Sequence, residues 1–223
     1  MSSAPEAWPD KPDNLTRNRM RQQANEVSCS QATVNVARQS ATALERRMNR
    51  LSRSFPGGVL VLLIAMEACA QDAVSLLRQD QKAVQVTAYS PKSAGCRGVA
   101  IISPGAGGSE KGYQYLGEAM SSLGYLAVVV GHQESGRGAL REHLRNHGLR
   151  EGLSELITDP NAYRGRFMDI AAAKVWAAFK CNASESILIG HSMGAATAMM
   201  EAGARNKLGL NGTDSFSAYI ALS

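Results

Sequence analysis

Gly190-His191-Ser192-Met193-Gly194 fits the pattern G-x-S-x-G, and a serine in that setting suits nucleophilic attack on a carbonyl carbon. The pattern is short, so its neighbours decide its weight. Ser186 to Gly190 reads as a buried strand, and a helix of small residues follows from Met193 to about Ala204. A tight strand-to-helix turn would lift the Ser192 hydroxyl above a sheet, at the positive end of a helix. Gly190 and Gly194 flank it because side chains there would strike the adjoining helix and strand, and Ala195, Ala196 and Ala198 continue the close approach.

Such an attack builds a negative oxygen, which needs two N–H donors. The first is expected from the Met193 backbone, one residue after the nucleophile. The second is expected from the glycine-rich loop Ser103-Pro104-Gly105-Ala106-Gly107-Gly108, and is assigned to the Ala106 N–H. Gly105 and Gly107 allow the loop backbone to come close to a substrate. His132, at the end of a strand on the same edge, is expected to line the pocket, and His191 to form its wall. Neither is a good general base, and no histidine follows Ser192. His143 and His147 stand at i, i+4 and could share a metal, but no acidic third ligand lies at helical spacing. A solvated helix face is the simpler reading, so no metal is expected. Nothing in the sequence implies an organic cofactor.

The elements that must hold these groups alternate strand and helix. Val84 to Tyr89 alternates with period two, and Gly98 to Ser103 and Tyr125 to Val130 are continuous apolar runs suited to buried parallel strands. Helices are expected over residues 112–123, 139–157 and 166–180, and a last strand over 216–222. Within 139–157, Leu140, Leu144, Leu149, Leu153 and Leu156 are expected to face inward. The order predicts an α/β fold, a mainly parallel sheet with helices on both faces.

These residues resemble the α/β-hydrolase superfamily, on the side that includes dienelactone hydrolases, platelet-activating-factor acetylhydrolases and cutinase-like polyesterases. The resemblance spans roughly residues 84–223. It rests on Ser103-Pro104-Gly105, on Gly190-His191-Ser192-Met193-Gly194 and on the spacing between them, with Tyr163-Arg164-Gly165-Arg166-Phe167-Met168-Asp169 as a further likeness. It implies a small-molecule ester as substrate. It also implies that the acid and histidine of a triad follow the nucleophile on later strands. Only 31 residues follow Ser192, so the fold is expected to be incomplete after the sixth strand and the chain nearly inactive. The alternatives are an inactive module of the same fold that serves binding, and an acyltransferase. Two positions depart from the family. Ala106 stands where cutinase-like relatives carry an aromatic, which argues against polyesters, and Pro104 replaces a histidine. The resemblance makes the strands at 98–103 and 186–190 neighbours, so Cys96 and Cys181, just before each, are expected to form a bridge opposite the site; two free buried thiols are the other possibility.

The chain of 223 residues is 44% hydrophobic and 19% charged, which excludes wholly disordered and collagen-like classes. Its +5 charge lies mostly ahead of the hydrolase-like part: residues 1–70 hold nine Lys/Arg and six Asp/Glu. No basic stripe with interleaved aromatics is present, so no nucleic-acid partner is expected. Residues 1–47 are polar and are expected to be disordered. Residues 48–70 follow the grammar of a signal peptide: arginines, the apolar run Val59 to Met66, then Ala68-Cys69-Ala70. That run is too short for a stable membrane span. Translation from Met48, export to the periplasm or exterior and a mature domain over 71–223 are the expectations. A short buried segment of a cytoplasmic protein is the alternative.

Overall fold

The computed structural model describes residues 71–223, so the expectations for 1–47 and 48–70 lie outside the described residues. The described chain runs β1 (Gln71–Leu77), β2 (Ala83–Tyr89), β3 (Gly98–Ser103), α1 (Gln114–Ser122), β4 (Tyr125–Val130), a 3₁₀ turn (Gln133–Ser135), α2 (Arg137–His147), α3 (Leu149–Thr158), α4 (Pro160–Lys180), β5 (Glu185–His191), α5 (Met193–Glu201) and β6 (Ala218–Leu222). The strands form one sheet in the order β1-β2-β4-β3-β5-β6. Strands β4, β3, β5 and β6 are parallel to one another, while β1 and β2 pair antiparallel and β2 meets β4 antiparallel. The sheet is thus α/β and mainly parallel as expected, with an antiparallel margin at β1 and β2. Antiparallel pairing is possible at that margin because a five-residue turn, 78–82, joins β1 to β2, whereas parallel neighbours need a long crossover.

Side-chain alternation divides the core into two layers. Val99 and Ile101 of β3 pack with Val128, Ile170 and Trp176 on one face, against α4. Ala100 and Ile102 pack with Val129, Ile189 and Met120 on the other, against α1. Every residue of β3 and β4 is buried, which is why both strands are uninterrupted apolar runs. A third cluster, with Leu156, Phe167, Met193 and Met200, closes over the C-terminal ends of the strands.

Three differences from the sequence reading have local causes. β1 was not foreseen: only Val74 and Leu76 of its seven residues are buried. The helix expected over 139–157 is two helices, because Gly148 adopts φ 80° and ψ 179°. The break resets the helical phase, so Leu156 is buried but Leu149 and Leu153 are exposed rather than inward. The helices cross closely at Gly152, where a Cβ would lie 2.4 Å from the His143 carbonyl oxygen. Helix α4 begins at Pro160, not 166, capped by an Asp159 side chain that accepts the Asn161 N–H at 2.8 Å.

Cys96 and Cys181 form a disulfide with Cα atoms 5.6 Å apart, closing a separation of 85 residues. It ties the entry of β3 to the entry of β5, at the far ends of those strands from Ser103 and His191. Closing a loop that long restricts the unfolded chain by about 4–5 kcal/mol in the chain-entropy account. Among the described residues no helix is long and apolar enough to cross a membrane.

Candidate functional site

Strand β5 ends at His191 and helix α5 begins at Met193, leaving Ser192 alone at the turn with φ 55° and ψ −117°. A non-glycine residue in that region stores about 1–3 kcal/mol of strain. The glycines beside it are sterically required. A Cβ on Gly190 would lie 1.9 Å from the Gly194 carbonyl oxygen, and one on Gly194 would lie 2.0 Å from that of Ser103. Ser192 is exposed, and its hydroxyl makes no capping bond to α5, so the side chain is not consumed by the helix it precedes.

The loop after β3 lies directly on this turn: a Cβ on Gly105 would be 3.1 Å from the Ser192 Cβ. Three of its amides are spent. Gly105 donates to the Tyr113 hydroxyl at 3.3 Å, Gly107 to the Ser135 carbonyl at 2.8 Å and Gly108 back to the Gly105 carbonyl at 3.0 Å. Among the described residues the Ala106 N–H has no such acceptor. Met193 is the first residue of α5, where an N–H has no partner within its own helix. The Ala106 and Met193 amides are thus both without a backbone acceptor beside Ser192.

Tyr113, which the sequence did not bring to notice, fixes both His191 and the loop. Its hydroxyl accepts from the Gly105 N–H and lies 2.7 Å from His191 Nδ1. His191 is half-buried beside Ser192 and held by Tyr113, with its ring centroid 5.6 Å from that of the tyrosine.

His132 has a different environment from the one expected of a pocket residue. It borders a cavity of about 280 Å³ with Gly108, Glu110, Gly131 and Arg137, yet it is buried and both ring nitrogens are taken. Nε2 lies 2.9 Å from Ser103 Oγ, and Nδ1 lies 2.9 Å from Asp169 Oδ2. It has no nitrogen left for a ligand. The hydrogens of this array can be placed. With a neutral ring that gives its Nδ1 hydrogen to the Asp169 carboxylate, Nε2 accepts the Ser103 hydrogen, and Ser103 Oγ accepts from Arg166 Nη2 at 2.9 Å. The other Asp169 oxygen accepts from Arg78 Nη1 at 3.0 Å.

Charges around the array agree with a neutral ring. Burial, then the positive Arg166 and Arg78, hold His132 well below its ordinary range. Burial pushes Asp169 up to about 7 against the pull of Arg78. Burial lowers Arg166 to about 10, which leaves it charged at neutral pH. Burial would lower Arg78 too, but its bonds to Asp80, Glu134 and Asp169 outweigh that and raise it. Glu134 holds Arg78 through both carboxylate oxygens, at 2.8 and 2.9 Å.

His143 and His147 sit on α2, both within 3.3 Å of one oxygen of Glu155 on α3. Among the described residues no group of three such side chains is arranged to hold a metal ion.

No family model and no curated protein matches this sequence. Solved structures do. A Klebsiella pneumoniae subsp. pneumoniae protein assigned as a dienelactone hydrolase is 16% identical, with a TM-score of 0.52 over 68% of this chain and 58% of its own. A thermostable carboxyl esterase from Bacillus coagulans is also 16% identical, with a TM-score of 0.44 over 67% of this chain and 43% of its own. An esterase from Pyrococcus furiosus is 15% identical, with a TM-score of 0.44 over 68% and 50%. The chain therefore spans about half the length of the solved structures it matches. The first of these likenesses shows the fold: an α/β-hydrolase sheet with its flanking helices.

Proposed function

We propose that this domain carries the nucleophile and oxyanion hole of a serine hydrolase acting on small carboxylic esters. The observation that carries the proposal is the Ser192 backbone. An exposed serine sits in a strained conformation, between two glycines that admit no side chain, beside two amides free to donate. In this reading the Ser192 oxygen attacks the ester carbonyl carbon and gives its proton to a base. The carbonyl oxygen becomes an oxyanion that accepts from the Met193 and Ala106 N–H groups, each worth about 3–4 kcal/mol to the transition state. Collapse expels the alcohol and leaves an acyl-serine for water to cleave. The glycine-walled approach of Gly105 and Gly107, with His191 beside it, forms the substrate's near wall.

Among the described residues no histidine is bonded to the Ser192 hydroxyl, and each has another partner. His132 is tied to Ser103 and Asp169, His143 and His147 to Glu155, and His191 to Tyr113. In this reading the chain alone would turn over esters slowly. The same four commitments favour the second reading, a module of this fold that binds without turning over. The disulfide supports export to an oxidising compartment, the destination expected of the segment at 48–70.

Incubation with p-nitrophenyl butyrate followed by peptide mass analysis separates the readings. The proposal expects a butyryl adduct on Ser192 and its loss in Ser192→Ala. A wild-type chain with no adduct at Ser192 would overturn it in favour of the binding module.

A further inference from the structure

An oxyanion hole built from two amides works only if their separation is held, because a misplacement of about 1 Å can cost on the order of a hundredfold in rate. Here the two donors come from segments far apart in sequence, the loop after β3 and the first turn of α5. One buried side chain reaches both. The Arg166 guanidinium donates to the Pro104 carbonyl and, at 2.9 Å, to Ser103 Oγ, both on the loop side. Its Nε donates at 2.8 Å to Thr197 Oγ1 on α5, and Thr197 passes that bond on to the Met193 carbonyl at 2.9 Å. A further bond, from Nη1 to Ser135 Oγ at 2.6 Å, reaches the residue whose carbonyl receives the Gly107 N–H.

All four acceptors are neutral oxygens, and Arg166 has no exposed surface. A buried charge without a directly bonded carboxylate is expensive, so a structural role alone does not explain it well. A guanidinium is suited to the geometry. Its planar fork can serve several acceptors at once, which a lysine ammonium on a flexible stem does less well. The His132–Asp169 pair completes the arrangement by taking the Ser103 hydrogen, so that Ser103 presents a lone pair to Arg166.

We propose that Arg166 is a positioning residue that clamps the Ala106 and Met193 arms of the oxyanion hole at a fixed separation, a role that rests on reading Ser192 as the nucleophile. It touches no substrate. It acts through Pro104 on one side and Thr197 on the other.

The test crosses from one arm to the other. Thr197→Val keeps the shape of the side chain and removes the oxygen that Arg166 grips on α5. The Gly107 and Gly108 amides, protected on the opposite arm, should then exchange with solvent about tenfold faster, the loss of one charge-assisted hydrogen bond. The β4 amides of Ala127 and Val129 set the baseline for global change. The rate constant for Ser192 acylation should fall with them, while half-saturation by p-nitrophenyl butyrate stays within about twofold, since uniform binding is not what the clamp supplies. Arg166→Lys should reproduce the faster loop exchange, since an ammonium cannot reach all four acceptors. Faster exchange confined to residues 193–197, or spread equally over β4, would overturn the clamp. A wild-type chain that never acylates Ser192 would overturn the ester reading instead, and the exchange comparison would still decide whether Arg166 couples the two arms.

Discussion

Ser103 and Ser192 stand at the C-terminal ends of adjacent parallel strands, with Ser103 in register with Gly190. Ser103 has what a catalytic serine is supposed to have: a histidine at 2.9 Å, and beyond it a carboxylate at 2.9 Å. Among the described residues Ser192 has no such chain. Yet Ser103 has no exposed surface, and its oxygen is also gripped by Arg166. Ser192 faces solvent from a backbone bend that packing must enforce. The comparison separates two properties often found together. A Ser-His-Asp hydrogen-bond chain measures how well a buried polar group is satisfied, whereas access and a strained turn measure whether an oxygen can reach a substrate. Here the first property supports the loop and the second marks the candidate nucleophile.

Gly194 joins the two serines, so it offers the hardest test of their arrangement. A Cβ there would lie 2.0 Å from the Ser103 carbonyl oxygen and 2.9 Å from that of Pro104. Both are backbone atoms of buried residues, so neither can rotate away. Gly194→Ala should cost more than about 3 kcal/mol, at or beyond the upper range for overpacking. Gly138→Ala is the control, since nothing lies within 4 Å of its Cβ position and alanine favours the helix. Urea unfolding of both variants reads the difference. A Gly194→Ala protein as stable as Gly138→Ala would mean that the elbow does not press on β3.

The array around Ser103 is sharpened by pH. His132 is held below 6.5 in the folded protein, so below that pH the unfolded chain takes a proton that the folded chain refuses. Stability from this group is lost as pH falls through about 6.5. Asp169 acts oppositely. Its folded value of about 7 exceeds the ordinary 3.8, so its contribution is present in acid and is lost as pH rises from about 4 to 7. The two largely offset each other in that window. Asp169→Asn should cost about 3 kcal/mol at neutral pH, because it leaves Arg78 and His132 without their shared carboxylate. It should also make stability climb from pH 4.5 to 6.5 more steeply than in the wild type, by up to about 1.4 kcal/mol per pH unit. Thermal unfolding across that range provides the measurement. Profiles of identical shape would show that Asp169 is not raised in the folded protein, and a variant profile with no climb would show that His132 is not held neutral.

What the sequence revealed follows from how local each signal was. The elbow is written in five consecutive residues, and β3 and β4 are apolar runs because both of their faces are buried. The support beneath them is not local: Arg78 meets Glu134 and Asp169 across 56 and 91 positions. One readable signal existed. Ala162, Tyr163, Arg166, Phe167, Asp169, Ile170 and Ala173 all lie on the buried stripe of α4, so two charged residues occupy an apolar phase. A charge in that phase announces a buried partner without naming it. Tyr113 gave no signal at all, since its role depends on a loop folding back to offer Gly105.

The smallest expected effect concerns the strain at Ser192 itself. Glycine adopts φ 55°, ψ −117° without the Cβ clash that serine suffers there. Ser192→Gly should release about 1–3 kcal/mol of strain. Against that stands the greater freedom of a glycine in the unfolded chain, about 0.5–1 kcal/mol. The net expectation is a gain of about 1 kcal/mol, seen as a rise of about 2–4 °C in Tm for a domain of this size. Ser192→Ala keeps the Cβ and should show no such gain, which isolates the backbone from the hydroxyl. Ser103→Gly should move the other way, since it strips the oxygen partner that His132 and Arg166 share in the buried interior. If Ser192→Gly destabilised the protein as Ser103→Gly does, the Ser192 side chain would be a structural member like its neighbour, and the distinction between the two serines would fail.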